Sequence, residues 1–441
     1  MISRVASWFS AVGFASVGLP AQLTQSSLAG PTTLPAYYDD VRDVLVCWGV
    51  SGSTVSGMWE FDGANWAFLT TSFNPLHSGK SVAFDRGRGV LVVVDQFYGD
   101  TWEWDGANLV NVGPAPVVPL ANQWLPNSYN FHVAYHETRQ RVMLFSESFY
   151  EWDGASWRPV LSANTPPVIA TPFGPTFYRY GGMTYDARLD KMVLCGRIHS
   201  LPNSPVETKS WEWDPATGWV EYPASGPLTG GAVWFDEHRG VVLKARTINS
   251  NGYHGVYYRD TSRAWVQLQS TDFDVFSGCY DRNANRFFFA TQTGIGILHD
   301  VHPAAFGSHA PGCTPASPWN LTLSQPGTRA WIGRTFAVEV GTPSTLALLA
   351  MGFSDQLFQS VQLPFDLTAA GLTGCSLNVA PDAIAFGAGS AGSAAFALAI
   401  PNGVGLLGTT FFQQGFALAP GANPAGLVAT DSVRATVGRF Q

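Results

Sequence analysis

Over the first two thirds of the chain, apolar and polar positions alternate in short runs, and the runs recur. In Thr101-Trp102-Glu103-Trp104-Asp105-Gly106-Ala107-Asn108 the two tryptophans lie two apart. In an extended chain such residues share one face of a strand. Asp-Gly then supplies the tight turn, because glycine tolerates the positive φ that a hairpin needs. Copies follow the same order at Trp59-Glu60-Phe61-Asp62-Gly63, Tyr150-Glu151-Trp152-Asp153-Gly154 and Trp211-Glu212-Trp213-Asp214-Pro215, with degenerate versions at Tyr257–Asp260 and Ile297–Asp300. A second marker, an aromatic and a polar residue before a turn and an apolar strand, precedes each copy. It stands at Tyr38-Asp39, Phe84-Asp85, Tyr135-His136, Tyr185-Asp186, Phe235-Asp236 and Tyr280-Asp281, at spacings of 46, 51, 50, 50 and 45 residues.

Two markers in a fixed order, six times each, predict six repeats. Each repeat divides into four strands. In the second they are Ser81–Asp85, Val90–Val94, Thr101–Asp105 and Leu109–Val112. Repeats of roughly 40 to 50 residues with four strands each are the pattern of β-propeller blades. The aromatic-Asp turn, the apolar strand, the Trp-x-aromatic-Asp strand and a downstream Trp (Trp66, Trp157, Trp219, Trp265; Leu109 in the second repeat) together resemble the kelch family. The resemblance covers roughly residues 21–300 and implies a six-bladed kelch-like β-propeller. One departure marks the repeats as divergent: the double glycine that usually ends strand two is reduced to Gly49 and Gly196.

After Asp300 no fourth strand follows in the sixth repeat. Gln22-Leu23-Thr24-Gln25-Ser26 resembles Phe68-Leu69-Thr70-Thr71-Ser72, the fourth strand of the first repeat. The N-terminal segment is therefore expected to complete the last blade and remove an open sheet edge. Residues 301–312 read as a linker. Residues 313–441 contain no Lys, few charges, and strand-like runs at Thr335–Val340, Thr345–Met351, Ala394–Ile400 and Gly415–Leu418 separated by Gly/Pro turns. They predict a β-sandwich, similar to the β-rich C-terminal modules of exported bacterial repeat proteins. The fold class expected is thus all-β: a propeller followed by a sandwich.

Composition narrows the function classes. Only 13% of the residues are charged, 46 glycines and 29 prolines supply turns, and the net charge of −8 offers no basic footprint for nucleic acid. Met1-Ile2-Ser3-Arg4 followed by the apolar run Val5–Leu19 resembles a secretory signal peptide over residues 1–20. Export to the medium or the cell envelope is the expectation, with no membrane span in the mature chain. Cys47, Cys195 and Cys279 fall in or beside strands as small apolar residues. Cys313 and Cys375 are the disulfide candidates. No Cys-x-x-Cys or His-x-x-x-His spacing suggests a metal, and no cofactor is expected.

Antiparallel order puts the one-two and three-four turns at one end of the repeats and the two-three and four-one loops at the other. The Asp markers all lie at the first end, and their regularity assigns them to structure. So does the recurrence of Glu60, Glu103, Glu151 and Glu212, because a catalytic carboxylate pair needs two unlike environments in one pocket. The other end is irregular. Its two-three loops carry Tyr98, Arg197, His199, Arg246, Asn249, Tyr253 and His254, and its four-one loops carry His132, Tyr178 and Arg179. These ten are the candidate ligand-binding residues, since binding groups concentrate in loops on a rigid scaffold. No catalytic residue is nominated: Gly-x-Ser-x-Gly, phosphate-loop and His-Glu-x-x-His patterns are all absent from the sequence. The sequence therefore points to an exported binding or interaction protein for a protein or carbohydrate ligand, with possible cell-envelope association through the C-terminal region. The alternatives are a carbohydrate-active enzyme with its site in the central funnel, or a structural envelope component.

Overall fold

The computed structural model describes residues 23–440 except 29–31, 40, 52–54, 71–79, 96–97, 118–130, 147, 167–168, 172–173, 177–178, 199–206, 224–231, 247–254, 271–277, 292–293, 301, 314–318, 326, 345 and 390–391. The segment read as a signal peptide lies outside the described residues. Two compact units divide the chain: Leu23–Glu237 with Val241–Asp300, and Val301–Gln441 with the turn His238–Gly240.

The first unit consists of four-stranded antiparallel sheets. Strand β1 (Leu23–Leu28) leads in. Sheet one follows with β2 (Thr32–Asp39), β3 (Val44–Ser51), β4 (Val55–Phe61) and β5 (Trp66–Thr70). Sheet two holds β6 (Lys80–Asp85), β7 (Val90–Asp95), β8 (Asp100–Trp104) and β9 (Leu109–Pro114). Sheet three holds β10 (His132–His136), β11 (Arg141–Phe145), β12 (Phe149–Trp152) and β13 (Trp157–Pro159); a small hairpin, β14 (Ile169–Thr171) and β15 (Gly174–Thr176), follows it. Sheet four holds β16 (Arg179–Asp186), β17 (Lys191–Ile198), β18 (Glu207–Asp214) and β19 (Gly218–Pro223). Sheet five holds β20 (Val233–Asp236), β21 (Val241–Arg246), β22 (Gly255–Arg259) and β23 (Trp265–Ser270). Sheet six holds β24 (Gly278–Asp281), β25 (Arg286–Thr291) and β26 (Gly294–Asp300), and its fourth strand is β1, antiparallel to β26 from Leu23 opposite Asp300 to Leu28 opposite Ile295.

The second strand of each sheet explains why the sheets pack side by side. Successive side chains point to opposite faces, and in β7 both faces are buried. Leu91 and Val93 join Val46, Trp48 and Met58 of sheet one, while Val92 and Val94 join Val133, Val142 and Leu144 of sheet three. Met143 and Phe145 then meet Met192, Leu194 and Trp213 of sheet four, and Val193 and Cys195 meet Val242 and Trp265 of sheet five. Trp234 of sheet five stacks on Phe287 of sheet six. Leu45 and Cys47 of sheet one pack with Phe288 and Ile295 of sheet six. The first strands touch in the same order: β2 on β6, β6 on β10, β10 on β16, β16 on β20, β20 on β24, and β24 on β2. The arrangement is propeller-type, and the continuous apolar runs in the sequence are strands covered on both faces.

Among its described residues the second unit holds two larger antiparallel sheets and two short two-stranded ones. The first places Ala305–Ala310, Leu427–Thr436, Thr410–Leu418, Leu346–Gly352 and Ala383–Ala388 side by side, and the other, the smaller of the larger pair, Leu321–Leu323, Thr335–Gly341 and Ser393–Ala399. Phe336, Val338, Val340 and Phe396 from the smaller sheet share one buried cluster with Ala347, Leu349, Phe411, Val433 and Ala435 from the larger. Residues 301–312, expected as a linker, instead supply the edge strand Ala305–Ala310, paired along Leu427–Thr436. Its partner lies more than a hundred residues away, so no local pattern announced it. Cys313 and Cys375 are joined by a disulfide, 62 residues apart in sequence. No helix among the described residues is long and apolar enough to cross a membrane.

Candidate functional site

The turn end of the first unit is built from ion pairs and capped turns. Asp105 Oδ1 accepts from the amides of Ala107 and Asn108, and Asp62, Asp153 and Asp214 cap their own turns in the same way. These amides hold the Asp105 carboxyl below its ordinary value. The arginine three residues after the first marker reaches the acid that ends strand one and the glutamate within strand three. Arg88 bonds Asp85 at 2.8 Å and Glu103 at 2.6 Å; Arg42 bonds Asp39 and Glu60, both at 2.7 Å. Glu103 also accepts from Trp152 Nε1 of sheet three at 2.8 Å, so it ties neighbouring sheets together. Glu212 does this from a buried position: Arg259 of sheet five at 2.7 Å and Arg263 at 3.0 Å both bond it. Burial alone would raise its carboxyl, but these two guanidiniums hold it below the ordinary value. The glutamates between aromatics are thus committed to structure.

Tyrosines of the first marker extend the ties. Tyr135 OH accepts from the Gly87 amide of sheet two, Tyr185 OH pairs with Thr138 Oγ1 of sheet three, Tyr280 OH donates to Asp236 of sheet five, and Tyr38 OH accepts from Arg286 of sheet six. One further cluster crosses the ring. Glu137 of sheet three takes Arg86 of sheet two at 2.5 Å and Arg282 of sheet six at 3.4 Å, and Arg282 also pairs with Glu237 of sheet five. Sheets three and six stand opposite in the contact cycle, so these charges meet across its centre. Sequence reading missed this cluster. Its members each directly follow a first marker, but the residue there is Arg in two repeats and Glu in two others, and spacing along the chain does not show that they meet.

Of the ten candidates, five are described, and they stand at the opposite end. Tyr98 stands exposed in the β7–β8 turn, where Gly99 donates its amide to the Asp95 carbonyl. His132 is half-buried as the first residue of β10, opposite Phe145. Arg179, Arg197 and Arg246 were expected in loops; they are strand residues instead. Arg179 opens β16 directly across from Arg197 on β17, and Arg246 closes β21 opposite Gly255. Pairing with neighbouring strands prolongs each element beyond where the polar sequence signals its end. Arg197 and Arg246 therefore stand at the same end of the second strands of adjacent sheets. Tyr178, His199, Asn249, Tyr253 and His254 lie outside the described residues. Among the described residues no group of three or more His, Cys, Asp or Glu side chains forms a metal site.

No family model matches the chain, and no curated protein matches it. Among solved structures, streptogramin B lyase is similar at a TM-score of 0.37 and 9% identity, over 63% of this chain and 97% of that one. The GH74 enzyme of Niastella koreensis is similar at 0.40 and 12%, over 73% of this chain and 59% of that one. SapL1 lectin, solved with alpha methyl fucoside, is similar at 0.39 and 12%, over 62% of this chain and 97% of that one. Likenesses this distant leave the function to be argued from the chain's own residues.

Proposed function

We propose that the chain is an exported binding protein. In this reading the first unit is a six-bladed kelch-like propeller closed by β1, the second is a β-sandwich, and the end built from two-three and four-one connections binds a protein or carbohydrate ligand that carries an anionic group. The observation that carries the reading is the register that sets Arg179 directly across from Arg197, with Arg246 at the same end of the adjacent sheet. Like charges directly opposite destabilise a strand pair. Two arginines there are explained by a bound anion, to which guanidinium donates in a bidentate fork. The turn end is a poor alternative, because Glu137, Glu237, Arg86 and Arg282 already pair with one another at the centre.

Supporting the binding reading over an enzymatic one, each recurring glutamate is neutralised by a cation: Glu60 by Arg42, Glu103 by Arg88, Glu151 by Arg139 and Glu212 by Arg259. A glycosidase needs one carboxyl kept protonated beside one kept ionised. The test is an array of acidic and neutral glycans and acidic peptides probed with the parent protein and the double variant Arg179→Gln/Arg197→Gln. The variant should bind acidic spots at least tenfold more weakly while melting no lower than the parent. Equal binding by both proteins, or equal retention on neutral and acidic spots, would overturn the proposal.

A further inference from the structure

Among the described residues of the C-terminal unit, one edge of the five-stranded sheet exposes large apolar side chains. Ala383–Ala388 ends the five-stranded sheet among the described residues, paired on one side only, with Leu346–Gly352. Its alternation is plain: Gly387 faces inward under the Phe396 ring, while Ile384 and Phe386 face outward and are 50% and 75% exposed. Opposite Ala388, Leu346 is 51% exposed, and Phe353, whose amide bonds the Asp382 carboxylate at 3.1 Å, is 49% exposed. Proteins ordinarily blunt such an edge with lysine, proline or an inward charge. The strand Ala-Ile-Ala-Phe-Gly-Ala has none of these.

The surrounding charge selects the occupant. Between Arg334 and Arg434 the chain carries no Lys, Arg or His, and its charged residues there are Glu339, Asp355, Asp366, Asp382 and Asp431. A second copy would bring its own Asp382 to the edge, and that carboxylate would repel an anionic membrane. We infer that this edge receives an extended segment of a partner protein, added as a further strand beside Ala383–Ala388. Alternate apolar side chains of that segment lie against Ile384 and Phe386, and a Lys or Arg lies next to Asp382. The main chain supplies affinity in such strand addition and the alternate side chains supply selectivity.

The test uses the full chain and two labelled synthetic peptides with the same alternating Val/Thr core, one flanked by lysines and one by glutamates, with binding read by fluorescence anisotropy. The lysine-flanked peptide should bind at least fivefold more tightly, and Ile384→Lys/Phe386→Lys should weaken it at least tenfold. Leu346→Lys, a single exposed change, provides a second variant, expected to weaken binding about threefold. Unchanged binding in both variants, equal binding of the two peptides, or no binding of either would overturn the inference. So would a dimer in sedimentation that the double variant dissolves, which assigns the edge to a second copy. Pelleting with phosphatidylcholine vesicles that the double variant abolishes would overturn it in favour of a lipid surface.

Discussion

His136 makes the third sheet sensitive to acid. It occupies the position that Asp39, Asp85, Asp186, Asp236 and Asp281 hold in the other sheets, and like them it is buried. Asp39, Asp85, Asp186 and Asp281 accept turn amides, as Asp39 does from Val41 and Arg42. Among the described residues neither ring nitrogen of His136 has a hydrogen-bond partner. The ring lies 4.6 Å from that of Tyr185, and Nδ1 is 4.0 Å from Asp190. Burial pushes the imidazole down to about 4, against the pull of Asp190 and with the help of Arg139. The folded value thus lies below the ordinary 6.5 of an unfolded chain. Its contribution is fully present above pH 6.5 and is lost as pH falls toward 4, because the unfolded chain takes the proton first. A difference of two to three pH units is worth about 3 kcal/mol. The perturbation is His136→Asn, which does not titrate. The assay is urea unfolding followed by tryptophan fluorescence from pH 7.5 to 4.5. The parent should lose about 3 kcal/mol more than the variant over that range. Parallel curves would refute the reasoning.

Three other outcomes follow from the ties between sheets and from the disulfide. Glu212→Ala leaves Arg259 buried without its carboxylate and should cost about 3–5 kcal/mol in urea unfolding, with Arg259→Met/Glu212→Leu recovering much of it. Glu103→Ala removes the acceptor of Trp152 Nε1 and the partner of Arg88, and should cost about 1–3 kcal/mol, whereas Glu103→Gln, which keeps the tryptophan bond, should cost less. Cys313→Ser/Cys375→Ser opens a loop of 62 residues and should destabilise the C-terminal unit by about 4 kcal/mol on the chain-entropy relation. A non-reducing peptide map should show the two cysteines linked.

What the sequence disclosed follows from range. The Trp-Glu-Trp-Asp-Gly stretch is local and recurs, so its strands, its turn and the role of Asp105 could all be read from spacing. The pairing of β1 with β26 was legible because Leu23-Thr24-Gln25-Ser26 repeats a fourth-strand pattern. Arg88 stands three residues after its marker aspartate and bonds Glu103 rather than Asp105, whose carboxylate accepts turn amides. By contrast, Ala305–Ala310 and Ala383–Ala388 are poor in β-branched residues and form strands only through distant partners. The Glu137–Arg282 contact joins residues 145 apart that hold the same place in their repeats, and the repeat shows their equivalence but not their meeting. At the end of the two-three connections, Arg197 and Arg246 precede stretches that read as loop. Only the register set Arg179 opposite Arg197 along the strand pair.

The central claim is that the ligand binds at the end marked by these arginines. Hydrogen–deuterium exchange with and without the tightest acidic binder from the array tests it most directly. Protection of the strand ends around Arg179, Arg197 and Arg246, with the 86–88 and 137–139 turns unchanged, is the predicted result. Protection confined to those turns, or to residues 305–440, would contradict it.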